Sequence, residues 1–177
     1  MSDFLPNDYE APQGGGAYMK LQRGDNKFRI LSKPIIGWLD WKDKKPFRFP
    51  IKNKPEKPME AGKAIKHFWA FVIFDYADQS IKILEITQAT IQKSIADLSK
   101  DEEWGAPFEY DIKVNRKGED LNTEYSITPS PKKPVSDEIK KAAMDKPCYL
   151  EALFTGGDPW VISDSKVTEL AFTDLPF

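Results

Sequence analysis

Two apolar runs dominate the middle of the chain: HFWAFVIFDY (67–76) and SIKILEI (80–86), parted only by Ala77-Asp78-Gln79. Runs rich in Ile, Val, Phe and Trp, joined this closely, read as an antiparallel β-hairpin. That hairpin restricts the rest of the chain to folds that can cover a long two-stranded ribbon. Upstream, FRILSKPIIGWLDWK, from about Lys27 to Lys42, reads as a first strand, broken or bulged at Lys33-Pro34 and Gly37. Downstream, Ile91, Ile95 and Leu98 recur at helical spacing and predict a helix from about Ala89 to Ser99, with Thr87 as its cap.

Two more strands follow. In YDIKVNR (110–116), Tyr110, Ile112 and Val114 alternate with polar residues; TEYSITP (123–129) turns Tyr125 and Ile127 inward. Ser136 is placed to cap a second helix ending near Met144, with Asp137 and Glu138 in its first turn. The order strand, strand, strand, helix, strand, strand is that of a five-stranded Greek-key OB barrel. The expectation is therefore a mainly β protein: one OB barrel, a helix between strands 3 and 4, and a C-terminal helix. Its loops between strands 1–2 and 4–5 would flank an oligonucleotide face.

The first of those loops is predicted over Asp43 to about Ile65, where Pro46, Pro50, Pro55, Pro58 and Gly62 argue against a central strand or a helix. Residues 1–16, ending in Gly14-Gly15-Gly16, read as a flexible arm, and 158–177 as an acidic tail on a 17–157 domain.

Formal net charge is only −2, but the charge is unevenly placed. From Lys33 to His67, ten bases stand against four acids, a local +6, whereas Asp158 to Phe177 carries −3 before its carboxylate. Such asymmetry suggests a polyanion-binding surface and a separate acidic segment for another partner. Aromatic rings are interleaved with the cations. Cations neutralise phosphates and ring faces stack on bases of any identity. Candidate stacking residues are Trp38, Trp41, Phe47, Phe49 and Trp69, about half of the region's rings being expected to face ligand and the rest the core. Candidate phosphate ligands are Lys42, Lys44, Lys45, Arg48, Lys52, Lys54, Lys57 and Lys66, with Arg116 and Lys117 closing the far side.

Other chemistries find little support. No apolar run approaches the ~20 residues of a membrane span, and the polar, Gly-rich start MSDFLPNDYEAPQGGG reads as neither a secretory signal nor a transit peptide. A cytoplasmic location is expected. One cysteine, Cys148, allows no internal disulfide or cysteine-rich zinc site and reads as core. His67, the single histidine, has no nucleophile motif to serve and is expected to be structural or to contact phosphate. Asp75, Glu85 and Asp111 lack the spacing of a metal cluster, and Gly14–Gly16 lacks the Lys-Ser/Thr of a phosphate loop. The expectation is a protein that is not an enzyme and needs no cofactor or metal.

Four segments, YMKLQRGDNKFRILSKPIIGW (18–38), KHFWAFVIFDY (66–76), KILEITQATIQKSI (82–95) and WGAPFEYDIKVNRKGEDLNTEYSITPSPKKP (104–134), resemble the single-stranded DNA-binding proteins of tailed phages. The stretch Ile91–Val114 is also similar in order to the helix-destabilising proteins of T-even phages, whose structural zinc has no ligand set here. The last five residues, Thr173-Asp174-Leu175-Pro176-Phe177, resemble the acidic tip of bacterial single-stranded DNA-binding proteins. That likeness implies a docking peptide, Asp174, Leu175, Pro176 and Phe177, for replication or recombination enzymes. Together the resemblances imply a coat for single strands during phage DNA replication, recombination or repair, in a host cytoplasm if phage-encoded. The alternatives are an OB-fold protein-docking module and an RNA-binding module. Oligomeric state stays open.

Overall fold

The computed structural model describes residues 18–160. The arm at 1–16, most of the tail at 158–177 and the tip Asp174–Phe177 lie outside the described residues.

Seven strands form one antiparallel sheet: β1 (Gly24–Ile30), β2 (Ile35–Lys42), β3 (Lys45–Pro50), β4 (Lys66–Asp75), β5 (Ser80–Ile86), β6 (Asp111–Lys117) and β7 (Glu124–Pro129). The order is β3-β2-β4-β1-β6-β7, with β5 on the other edge of β4. Among the described residues no ladder joins β5 to β7. The five-stranded closed barrel expected from the sequence is thus corrected to an open seven-stranded sheet within the expected β-rich class.

Two local events raise the count. First, the strand expected over 27–42 is divided. Ile30 lies opposite Ile73 and Ile35 opposite Ala70, and Leu31 N–H donates to Val72 O, so Ser32, Lys33 and Pro34 together face Phe71 alone. The Val72 N–H that would lose its partner donates instead to Ser32 Oγ at 2.9 Å. Two extra residues leave side-chain parity unchanged, because the period of a strand is two. Phe28 and Ile30 on β1 therefore share a face with Ile36 and Trp38 on β2.

Second, the expected 43–65 loop begins with a strand. Asp43 and Lys44 have φ of 52° and 62°, the backbone that a two-residue hairpin turn of the I′ kind requires. The chain returns along β2, pairing Lys42 with Lys45 and Gly37 with Pro50. Pro46 and Pro50 are tolerated because β3 is an edge strand. Gly37 permits the close approach: a Cβ there would collide with the Phe49 carbonyl.

β4 is buried on both faces, which explains its unbroken apolar run. On one side Phe68, Ala70, Val72 and Phe74 meet Leu31, Leu39, Ile81 and Ile83 beneath the C-terminal segment. That segment comprises α2 (Asp137–Asp145), contributing Ile139 and Ala143, and a 3-10 helix at Leu150–Thr155 contributing Leu150 and Leu153. Ser136 Oγ accepts from Ile139 N–H at 3.3 Å, the expected cap. On the other side Phe71 and Ile73 meet Phe28, Ile30, Leu84, Ile86, Ile112 and Val114. α1 (Ala89–Lys100) closes this second core with Ile91 and Ile95. Its cap position is Gln88 rather than Thr87 and makes no side-chain cap bond. Gln92 instead ties the helix to the sheet by donating to Ile86 O and His67 O.

Candidate nucleic-acid interface

The sheet face that is core at Phe28, Ile30, Phe71 and Ile73 continues outward along β2, β3 and β4 and changes character as it goes. Cross-strand partners share a face. The register therefore sets Trp69 beside Ile36, then the row His67–Trp38–Phe49, then Asp40 beside Phe47, and at the tip Lys42 beside Lys45. Adjacent strands lie ~4.8 Å apart, so the three rings of the middle row span about 10 Å. Burial falls along the same path: Phe28 is 0% exposed and Phe47 39%.

His67 organises the rings. Trp69 Nε1–H donates to His67 Nε2 at 3.2 Å, so Nε2 is the acceptor and the proton resides on Nδ1, which donates to Gly37 O at 2.9 Å. The imidazole packs against Trp38 with ring centroids 5.2 Å apart. The histidine thus spaces two tryptophans and pins them to β2.

Residues 51–59 are fastened across this face, and Glu60 to the hairpin turn. Trp38 Nε1–H donates to Ile51 O at 3.0 Å, and Lys54 Nζ lies 4.4 Å from the Trp38 ring centroid. Asp40, wholly buried, accepts from Trp41 N–H through one oxygen and from Met59 N–H through the other, each at 2.8 Å. Glu60 accepts from Asp43 N–H at 2.6 Å. The two carboxylates shape the loop by taking up backbone donors rather than by pairing with its lysines. Lys42, Lys44, Lys45, Lys52, Lys54, Lys57, Lys63 and Lys66 are all exposed. Among the described residues none of these eight has a carboxylate within 4.0 Å.

Several sequence-derived candidates stand elsewhere. Arg48 lies opposite Leu39, on the reverse face from Trp38. Its Nε donates to Glu85 at 2.6 Å, its guanidinium lies over Phe68, and its side chain is only 9% exposed. It is a structural cation, not part of the lysine track. Trp41 lies opposite Pro46 and shares Arg48's face, so it is not in one ribbon with Trp38. Arg116 is turned to the core face of β6, opposite Gly24 and Tyr125, and donates to Leu21 O at 3.0 Å. Lys117 is exposed beside it, but β4 and β1 separate both residues from β2 in the ladder. The expected far wall of the groove is not assembled from these two.

Asp40, Glu60 and Gly37 were not legible as site residues. An acid between two tryptophans in WLDWK was the available hint, since a carboxylate in a strand needs donors. The carboxylates considered for a metal cluster are each taken by a cation: Asp75 by Lys82, Glu85 by Arg48 and Asp111 by Arg29. Among the described residues no three His, Cys, Asp or Glu side chains gather as metal ligands, and no helix is long and apolar enough to cross a membrane. Cys148 packs against the core beneath α2, and burial pushes its thiol up to about 12.

Over 85 residues, 48% of its length, the chain is 35% identical to the probable ssDNA-binding protein of Escherichia phage T5. The match covers 28% of that protein, so the chain accounts for less than a third of the relative's length. No protein-family model and no solved structure matches.

Proposed function

We propose that this chain binds single-stranded DNA without strong sequence preference and acts as a binding protein rather than an enzyme. The observation that carries the reading is the pairing of the His67–Trp38–Phe49 row and Phe47 with lysines that have no ion-pair partner among the described residues. Lys42 and Lys45 face each other directly across the β2–β3 ladder. Like charges so placed repel, and a phosphate between them relieves the repulsion. Lys54 lies over the Trp38 ring, and Lys52 and Lys57 are exposed on the same loop. Phe47 is the most open of the rings on this face; at Trp38 a base would displace the Lys54 ammonium, which then meets the phosphate. Flat rings and a cationic track favour unpaired strands, because duplex bases do not offer their faces.

The ladder supports an OB-type arrangement in which β1 and β2 form one bulged first strand, followed by β4, β5, α1, β6 and β7, with the β3 hairpin inserted in the first loop. The relative's name agrees with the site chemistry. We place the activity in coating strands during replication, recombination or repair, in the host cytoplasm if the chain is phage-encoded, with Asp174–Phe177 as the docking tip for partner enzymes. Intrinsic tryptophan quenching by oligo-dT and by duplex DNA, at two salt concentrations, tests the reading. Preference for oligo-dT with affinity falling steeply in salt is expected; preference for duplex, or indifference to salt, overturns it.

A further inference from the structure

Strand alternation divides the cations and rings of the β2–β3 hairpin between two faces, and the second face has a cleft of its own. It encloses about 820 Å³ between the end of β2 and residues 60–66, and Trp41, Lys44, Lys63 and Lys66 line it together with Asp43 and Glu60. Ligand pockets commonly span ~300–1,000 Å³. Trp41 is 38% exposed, so a ring surface is open there. Lys66 lies opposite Leu39, which fixes it on the same face as Trp41. Glu60 accepts the Asp43 N–H, and none of the three lysines has a carboxylate within 4.0 Å among the described residues, although Asp43 and Glu60 share the cleft with them.

We propose that this cleft is a second nucleotide subsite, taking one base against Trp41 and its phosphate between Lys63 and Lys66. The inference rests on the single-strand reading above and extends it. Trp38 and Trp41 are three residues apart, about 10 Å along a strand, and they point to opposite faces. A strand that leaves the Phe47 side passes the Lys42–Lys45 tip and Lys44, then turns into the Trp41 cleft. The hairpin is then gripped around its end rather than along one side. Lys63, not distinguished by the sequence, becomes a binding residue because the Glu60 turn, with Lys63 N–H donating to Glu60 O, brings it beside the Trp41 cleft.

The test is the dependence of affinity on oligomer length, read by fluorescence anisotropy on the full chain with oligo-dT of graded length. For Trp41→Ala combined with Lys63→Gln, the ratio of long-oligomer to short-oligomer affinity is expected to fall about tenfold, as one lost stack implies. Lys63→Gln alone, an exposed change that leaves folding intact, is expected to lower the same ratio by a smaller factor. An unchanged ratio in both variants overturns the second subsite while leaving the first standing. Failure of the unmodified chain to bind oligo-dT at any length removes the parent reading, and this one with it.

Discussion

The two ends of β2 and β1 use the same residue types in opposite ways. Around Asp111, on the β1–β6 contact, three cations converge on one buried carboxylate: Arg29 at 3.2 Å, Lys133 at 3.0 Å and Lys27 at 3.7 Å. Tyr76 O–H donates to it at 2.7 Å, and Arg29 donates further to Phe108 O and Lys133 O. Around the β2–β3 hairpin, eight lysines have no carboxylate within 4.0 Å among the described residues, and the acids Asp40 and Glu60 accept from backbone N–H groups. The first arrangement satisfies its charges within the molecule and so serves the fold. The second leaves its lysines without an ion-pair partner among the described residues, and phosphates are proposed as their partners. Arg48 shows that sequence proximity does not decide between them: it is flanked by the hairpin's phenylalanines yet belongs to the satisfied class.

That contrast can be broken from either side. Replacing Arg29 by Met leaves Asp111 buried with weakened compensation and should cost about 3–5 kcal/mol in urea unfolding, the range for breaking a buried pair. Oligo-dT affinity of the protein that remains folded should not change; a specific loss of binding would mean the two regions are not separate. Arg48→Met should cost a smaller ~1.5–3 kcal/mol of stability, by removing a charged hydrogen bond to Glu85. Its salt slope should stay that of the unmodified chain, and a fall of one phosphate contact would return Arg48 to the track.

Phe47→Ala, at an exposed ring, should reverse the pattern: melting little changed, but about 1–3 kcal/mol of oligo-dT binding lost. Exchanging both Lys42 and Lys45 for Gln should lower the slope of log affinity against log salt by about 0.7, the value for one phosphate contact on a single strand. Stability should hold or rise slightly, as the facing like charges are gone.

The smallest effects concern pH. Burial lifts the Asp111 carboxyl, but hydrogen bonds from Tyr76, Lys133 and Arg29 outweigh it and hold the group below the usual carboxylate range. Its stabilisation is therefore full above the unfolded value of ~3.9 and is lost as pH falls through that value toward the lower folded one. Burial, reinforced by Asp111, raises Tyr76, so its contribution is full below ~10 and fades as pH climbs beyond. Asp111→Asn, followed by thermal melting across pH, should remove this group's acid flank and reduce the alkaline one, which burial of Tyr76 still maintains.

Much of the outline was legible in residue order. The apolar runs at 67–76 and 80–86 became β4 and β5, the 3.6-residue spacing became α1, and Ser136 capped α2. The prolines of 43–65 misled, because Pro46 and Pro50 forbid a central strand but not an edge strand, and the I′ turn at Asp43-Lys44 lacks the usual Asn-Gly signal. At the site, the lysines and rings were visible as a composition, whereas their division between faces was not. That division depends on register, which a single strand does not announce.

Residue order by itself determined that the chain would be β-rich, that a basic, aromatic stretch would interrupt its first half, and where its two α-helices would lie. These follow from side-chain periodicity and backbone preference, which act within a few residues. Tertiary structure alone decided which cations are free: Arg48 could not be told from Lys45 until β3 was paired and Glu85 brought beneath it. Charge pairing is a matter of distance in space, and contacts between residues such as 48 and 85 exist only once the sheet has formed.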